Sequence, residues 1–409
     1  MVASLRSDDV RNQNRRRVLA VVRRRGVASR TEIGKSTGLS AATVSAITSD
    51  FLDEGILVPP EKESVAIAGR GRPTVALVVN PDAAMICAVY FQLNRVSAAM
   101  VDYAGATISE FSAEIATQDI TSDEIRKTLL HCVEEALRQT GRDKSTLRRI
   151  SVGFQGVTDA EGSTVLWTPI CSQRDIPLCK WLEDHFGVPA KVANDCDMIT
   201  QALTWREPEK YGQKFGAVLL AHGVGMGLYL RQGIINGTRS SGVEFGHMTY
   251  MPGGALCRCG NKGCIEAYAG DYAISRRAKG EPDDTPPPDL LESPNLESTM
   301  KLVQTGDKNA LAAVDAAGAA IGTGLANLYA LVDPFPVVLV GAGALFFEQM
   351  EAPIRERLST APGDVEPQRI EIDCYPEESP LVQEGCAISA LLVQDEEMSN
   401  RRIQTEAAE

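Results

Sequence analysis

The sequence predicts an α/β protein in two unequal parts, a small helical head over residues 1–80 and a body over residues 81–409 that divides into two lobes. Three observations lead there. The chain has 409 residues, which at ~100–200 residues per domain is two or three folding units. Its net charge of −13 is unevenly spread: residues 1–80 hold 13 Lys and Arg against 8 Asp and Glu, net +5, and the remainder is net −18. The hydrophobic pattern also changes, from helical stripes before residue 58 to strand-like runs alternating with helices beyond residue 85. With 44% apolar and 23% charged residues the chain can bury a sizeable core. No apolar run approaches the ~18–20 residues of a membrane span. The opening MVASLRSDDVRNQNRRR has no apolar stretch of a secretory signal. A cytoplasmic protein without a membrane partner is expected.

In the head, residues 14–25 are Arg-rich, with Val18, Leu19, Val21 and Val22 as the apolar stripe of a first helix. Ser29-Arg30-Thr31-Glu32 reads as a capping box, so a second helix starts at Arg30 and stops at Gly38. Ser40 caps a third helix, which reaches about Glu54 and buries Val44, Ile47, Phe51 and Leu52 at helical spacing. Its other face starts with Ser40, Ala41, Thr43 and Ser45, small uncharged side chains that a major groove can admit. This is a helix-turn-helix pattern, with an ordinary helical hairpin as the alternative. After Pro59-Pro60, the segment Gly69-Arg70-Gly71-Arg72-Pro73 and an apolar strand over 75–79 read as a wing. Arg70 and Arg72 on such a tip suit a narrow minor groove. The basic excess of 10 against 3 within residues 1–35 suits a phosphate-bearing partner at this end only, though a solvated arginine face would look the same.

In the body, runs over 86–93, 96–102 and 107–115 form a strand meander. A helix over 122–140 follows, with Ser122 as its cap and Asp123 and Glu124 in its first turn. Strands are expected at 150–154, 190–193, 217–221, 227–230 and 337–340. Helices are expected near 178–186, from about Asp197, and at 266–278, 308–332, 346–359 and 380–394. The small lobe would take residues 81–200 plus the 380–394 helix, and the large lobe 201–379. Residues 281–298 read as an exposed excursion, and the last fifteen residues as a frayed polar tail.

Ten cysteines in a chain without a secretion signal are expected to be reduced. Cys87, Cys132, Cys179, Cys374 and Cys386 sit in apolar or helical surroundings and read as small hydrophobes. Cys257, Cys259 and Cys264 instead share a Gly-rich loop, Cys-Arg-Cys-Gly-Asn-Lys-Gly-Cys. Three thiols this close favour tetrahedral zinc, and His247, upstream of Cys257, supplies the fourth ligand. With four protein ligands, one zinc ion per chain would shape the loop and not activate water.

Four blocks together resemble the ROK family of repressors, open reading frames and kinases: Val192-Ala193-Asn194-Asp195, His222-Gly223-Val224-Gly225-Met226-Gly227, Glu244-Phe245-Gly246-His247, and the cysteine loop continued by Ile265-Glu266. The resemblance covers nearly the whole chain, and the head places it with the family's sugar-responsive repressors. It implies an actin-like, two-lobed ATPase fold with a sugar in the cleft between the lobes. It also implies that Asn194, Asp195, Glu244, His247 and Glu266 hold sugar hydroxyls, as paired donors and acceptors on a polyol require. In the family's kinases the residue at Asp195 is the catalytic base.

The nucleotide side departs from that pattern. Where the kinases read Asp-x-Gly-x-Thr, this chain reads Tyr90-Phe91-Gln92-Leu93-Asn94, without the acid, glycine or threonine that hold Mg2+ and phosphate. His222, Met226 and Val243 also stand where the kinases carry Thr, Gly and Gly. The resemblance therefore implies a bacterial transcription regulator with no catalytic residue and with Asp195 as a vestigial base. The head would bind operator DNA, and a sugar or sugar derivative would be the effector. Protomers would pair as a homodimer or higher oligomer. An active ATP-dependent sugar kinase, and a sensor whose ligand is a protein partner, are the competing expectations.

Overall fold

The structure, a computed structural model, describes residues 7–60, 76–231, 233–287, 296–362 and 366–406. The two wing arginines, Arg70 and Arg72, lie outside them.

The head builds three helices and a small antiparallel sheet from local signals. Its first helix is Ser7–Arg25, longer than the expected 14–25; Asp9 stands in its first turn, where the helix dipole favours an acidic side chain. Val18, Leu19 and Val22 are buried. The capping box forms: Ser29 Oγ accepts the Glu32 N–H at 3.2 Å, and Glu32 Oε2 accepts the Ser29 N–H at 2.8 Å. Gly38 ends the second helix, Arg30–Thr37, at φ 69°, a left-handed conformation that favours glycine. Ser40 Oγ accepts the Thr43 N–H at 3.1 Å and starts the third helix, Ala41–Asp53. That helix buries Val44, Ile47 and Phe51, with Thr48 beside them, while Leu52 is only half-buried. Strand Ala76–Val79 pairs with Ala28–Ser29 on one side and Leu57–Val58 on the other.

Two five-stranded sheets carry the body, and they share one plan. In the first, Met85–Gln92, Arg95–Asp102 and Thr107–Glu114 form an antiparallel meander. Leu147–Phe154 pairs in parallel with Met85–Gln92, and Ala190–Asn194 in parallel with Leu147–Phe154. In the second, Lys214–Leu220, Val224–Leu230 and Gly233–Ile234 form the meander. Val337–Val340 and Ile372–Tyr375 extend it in parallel from Lys214–Leu220. Parallel additions need long crossovers. Helices Ser122–Gln139 and Leu178–Phe186 supply them in the first lobe, and Lys308–Tyr329 and Phe347–Leu358 lie in those of the second. Lys308–Tyr329 is long and apolar enough to cross a membrane by length and composition alone, but it is mostly buried in the core of its lobe. Helix Asp195–Arg206 lies between the sheets, where Ala88, Tyr90, Met198, Leu203, Ala217, Val340 and Val382 form a core shared by the lobes.

Several expectations change. Helix Ser122–Gln139 is capped by Thr121 and not by Ser122: Thr121 Oγ1 accepts the Glu124 N–H at 3.3 Å, and Glu124 returns the bond to the Thr121 N–H at 2.8 Å. A capping box needs its Glu three residues on, and Glu124 stands at that distance from Thr121. The helix expected over 266–278 is two, Glu266–Ala269 and Asp271–Ala278, because Gly270 leaves helical space at ψ 152°. A helix not expected, Leu296–Gln304, starts inside the 281–298 excursion. Cys374 is half-buried.

The C-terminus changes most. As far as residue 406 the polar tail is helical and not frayed: Ser379–Glu406 is one helix of 28 residues. Beyond residue 394 it buries Asp395, Met398 and Ser399. These seat against the head, whose core runs without a break from Val18, Ile33 and Phe51 to Ile86, Tyr103, Leu391 and Met398. Arg23 grips Asp395 with two bonds of 2.7 Å, and Tyr103 Oη donates to Asp395 Oδ1 at 2.7 Å. Arg15 Nε donates to the Ser399 carbonyl at 3.0 Å, and its guanidinium meets Glu54 at 2.5 Å. Part of the basic excess that suggests a nucleic-acid surface is thus internal. Arg15 and Arg23, 1% and 3% exposed, join head to body and cannot reach phosphate.

Candidate functional site

A cavity between the lobes is lined by Asn194, Asp195, Glu244, His247 and Glu266, together with Gln155, Trp167 and Arg258. Two helix starts and one loop bring the polar groups together. Asn194 caps helix Asp195–Arg206: its Oδ1 accepts the Cys196 N–H at 2.8 Å, and its Nδ2 donates to the Gly156 carbonyl at 2.7 Å. An amide has two lone pairs and two N–H groups, so one of each stays free for a ligand. Asp195 follows at 3% exposure. Its Oδ1 accepts the Cys196 N–H at 2.9 Å, while its Oδ2 has no partner among the described residues. Burial pushes its carboxyl up to about 7. Glu266 opens its short helix; its Oε2 accepts the Val224 N–H at 3.2 Å, and Tyr272 Oη lies 3.4 Å from its Oε1. Glu244 is half exposed, and burial of the rest of its side chain raises its carboxyl. Just before it, Val243 adopts φ 52°, a conformation costly for a β-branched residue. That is the position where the kinase pattern carries glycine, so the backbone turn is kept and Val243 bears strain of about 1–3 kcal/mol.

His247, Cys257, Cys259 and Cys264 converge, each offering a ligand atom within 4.8 Å of all the others. Cys257 Sγ lies 3.7 Å from His247 Nδ1, and Cys259 Sγ lies 3.8 Å from Cys264 Sγ. Tetrahedral zinc with bonds of ~2.0–2.3 Å separates its ligands by roughly 3.4–3.8 Å. The residues therefore fit a closed zinc site. His247 Nε2 points the other way, 3.9 Å from Glu244 Oε2 and on the cavity wall. One ring nitrogen can bind metal while the other is oriented by a carboxylate.

Across Asp195 the cleft changes character. Tyr90 and Phe91 are buried, with the Phe91 ring stacked on Phe154 at 4.9 Å. The turn closes on Asn94 at φ 57°, whose Oδ1 accepts the Thr117 N–H at 3.2 Å. Side chains hold this turn: the Leu93 N–H donates to Gln155 Oε1 at 3.3 Å and the Asn94 N–H to Thr117 Oγ1 at 3.4 Å. The glycines at 223, 225 and 227 also have packing reasons. A Cβ would meet Glu266 Oε2 at 2.7 Å at the first, Cys196 Sγ at 2.6 Å at the second and Thr200 Oγ1 at 1.9 Å at the third. These glycines let a strand approach a helix and imply nothing about nucleotide.

In the head, Ser40, Ala41 and Ser45 are exposed at the start of the third helix. Thr43 is half-buried, its hydroxyl 2.8 Å from Ser40 Oγ. Sequence reasoning missed Trp167, Arg258 and Asp271, and met His222 only as a departure from the kinase pattern. Arg258 lies between two motif cysteines, so the motif itself could have flagged it. Nothing local marks Asp271, which the fold carries to His222, 4.0 Å from its Nδ1.

Comparison with known proteins adds three findings. The ROK family model matches residues 95–372, and a winged helix-turn-helix DNA-binding model matches residues 11–58. Among curated proteins, the chain is 24% identical over 358 residues to a putative xylose repressor of Caldicellulosiruptor sp., covering 85% of this chain and 88% of that one. It is 25% identical over 334 residues to the DNA-binding transcriptional repressor Mlc of Escherichia coli, covering 81% of each. Among solved structures, a ROK family transcriptional regulator described as a homologue of E. coli MLC superposes with a TM-score of 0.77 at 21% identity, over 96% of this chain and 99% of that one.

Proposed function

The chain belongs to the ROK family, and we propose that it is a DNA-binding transcriptional repressor whose operator affinity is set by a sugar or sugar derivative in the interlobe cleft. The observation that carries this reading is the convergence of Asn194, Asp195, Glu244, His247 and Glu266 on one cavity. Five polar groups around one cavity, with free valences on Asn194 and Asp195, suit a polyol, and Trp167 lines the same cavity, where an aromatic ring can pack on a sugar's C–H side. Zinc, held by His247, Cys257, Cys259 and Cys264, would fix His247 and the 257–264 loop against the sugar. The relatives' names, a xylose repressor and a transcriptional repressor, favour the same class.

The head reads DNA through Ser40, Ala41, Thr43 and Ser45 in the major groove and through Arg70 and Arg72 in the minor groove. A two-fold dimer in the bacterial cytoplasm would place two heads on successive half-sites. Control is linkage: sugar binds one lobe arrangement better than the other, and that difference changes operator affinity. The helix Ser379–Glu406, which borders the cleft at Ser379 and grips the head at Asp395, is the rigid link between them. We read the protein as non-enzymatic, since the turn at Tyr90–Asn94 offers phosphate no cradle.

Footprinting on genomic fragments with and without a panel of aldoses and N-acetylated hexosamines tests this. Protection of a near-palindromic site, released by one sugar, is expected; no protection at moderate salt overturns the reading. Arg72→Ala should weaken operator binding and reduce its log–log salt slope by about 1. ADP release over the same panel would reveal a kinase, and capture of a protein by the effector-free regulator would reveal a protein ligand.

A further inference from the structure

The cleft continues past Asp195 into two more cavities that share Ala221, His222 and Glu378 on their walls. The nearer, of about 350 Å³, is lined by Tyr90, Gln92, Asn94, Gln155, Asp195, His222 and Glu378. The farther, of about 900 Å³, adds Asp271 and an apolar side of Leu296, Met300, Leu345 and Phe346. A phosphate on a cleft-bound sugar, or the phosphates of a nucleotide, would have to lie in this space.

Its most deeply buried polar groups are two carboxyls. Asp195 and Asp271 are 3% and 4% exposed. Asp195 Oδ2, Asp271 Oδ1 and His222 Nδ1 are buried without a hydrogen-bond partner among the described residues. Asp271 is the first residue of helix Asp271–Ala278. A helix N-terminus is where backbone N–H groups and the helix dipole favour an anion, so the chain places its own carboxylate where a phosphate would otherwise gain most. Burial, together with the charge of Glu378, pushes the carboxyls of Asp195 and Asp271 up to about 7. Burial also pushes His222 down to about 4, so it is a neutral imidazole and supplies no counter-charge. Two guanidiniums border the region. Arg95 is exposed at the rim and donates to Ser112 Oγ at 3.0 Å. Arg258 reaches in from the sugar side, stacked 4.9 Å over the Tyr272 ring, and Lys301 stands beside Glu297 on the wall of the farther cavity. Against these cations the two cavities set four carboxyl groups, of Asp195, Asp271, Glu297 and Glu378.

We propose that Asp271 and Glu378 make the far side of the cleft a filter against anions, so that the effector is an unphosphorylated sugar presenting hydrogen-bond donors toward Asp195, Asp271 and His222. This rests on the reading of the cleft as a sugar site. The unpartnered oxygens ask for O–H or N–H groups, and a phosphate offers only acceptors and more negative charge. Removing buried polar groups from water without matching them is what discriminates against the wrong ligand.

The test has two arms on the full-length zinc-loaded protein. In the first, isothermal titration compares D-glucose, D-xylose and N-acetyl-D-glucosamine with glucose 6-phosphate, xylose 5-phosphate and N-acetylglucosamine 6-phosphate. For whichever sugar binds, its phosphate should bind at least about tenfold more weakly. The variant Asp271→Asn/Glu378→Gln should narrow that gap, with its fold checked by circular dichroism. A phosphate that binds as tightly as its parent sugar, or a gap unchanged in the variant, overturns the proposal. The second arm needs no sugar: a fluorescent ATP analogue with Mg2+ should give no saturable binding to the wild type at micromolar concentration, and saturation there overturns the filter. If none of the six sugars binds but the analogue is still refused, the sugar assignment fails and the anion filter stands.

Discussion

Buried charge appears at two places in this molecule, and it is handled in opposite ways. At the joint between head and body, Arg23 and Asp395 are matched through two 2.7 Å bonds, Tyr103 adds a third to the carboxylate, and Arg15 is held by Glu54 and a backbone carbonyl. In the cleft, Asp195 and Asp271 are buried to a similar depth with one oxygen each left unmatched, and His222 beside them is partly exposed. Both arrangements carry a desolvation cost. At the joint partners within the protein offset most of it, although Arg15 Nη1 and Ser399 Oγ make no hydrogen bond and Arg15 Nη1 lies 3.7 Å from Asp50. In the cleft the cost stands until a ligand offsets it, which makes the unmatched groups a binding site. Depth of burial does not separate the two regions; what differs is that the joint's buried carboxylate, Asp395, has both oxygens bonded, whereas Asp195 and Asp271 each keep one open.

The contrast can be broken in graded steps. The largest effect should come from the metal: Cys264→Ser, or exhaustive chelation, should cost on the order of 5 kcal/mol or more in stability of the body. It should abolish sugar binding, measured as zinc content, melting temperature and titration on one sample. Next is the joint. Asp395→Ala leaves the Arg23 guanidinium buried and unpaired and should cost about 3–5 kcal/mol. Because the head core is continuous with the body, the loss should appear as one unfolding transition at lower denaturant; a wild-type midpoint would show the joint to be ornamental. Glu266→Gln keeps the shape of the side chain but removes a charged acceptor, and should weaken sugar binding by about 1.5–3 kcal/mol while operator footprints persist.

The smallest effect has the opposite sign. Asp271 has a folded pKa of about 7, above its ordinary 3.8. The native state therefore binds the proton more tightly than the unfolded chain, and ionising the group destabilises the fold. That penalty is complete above about pH 7, shrinks between 7 and 4, and is absent below. Asp271→Asn should then stabilise the ligand-free protein on the order of 1–2 kcal/mol at pH 8, with the advantage fading toward pH 4.5. Differential scanning calorimetry across that range checks the sign, and a variant less stable at pH 8 would place Asp271 with the matched charges of the joint.

Much of the molecule is legible along the chain, and the legible parts share a property. The Ser29–Glu32 capping box, the Gly38 stop, the Ser40 cap and the buried face of the third helix are set by residues three or four apart, whose backbone geometry is the same in any fold. The cluster of metal-ligating side chains is legible for a similar reason: three thiols within eight residues could reach one ion whatever surrounds the loop. Where the local reading failed, a competing local choice or a distant partner had won. Thr121 displaced Ser122 because Glu124 completes its box. The polar C-terminal turns order because Arg15 and Arg23, some 370–385 positions away, bind them.

Residues close along the chain set the order of the parts, the caps of the head's second and third helices, and the loop that carries three of the four clustered metal-ligating side chains. Tertiary structure alone decided that the two lobes repeat one sheet plan, which no repeat in the residues betrays, since topology constrains only which positions face inward. It also decided which arginines of the basic head are free for DNA, and that Asp271 and Glu378 border one cavity with His222. The physical reason is range. Propensity and capping act within a few residues, whereas burial, pairing and desolvation of charge depend on what the folded chain brings together from hundreds of residues apart.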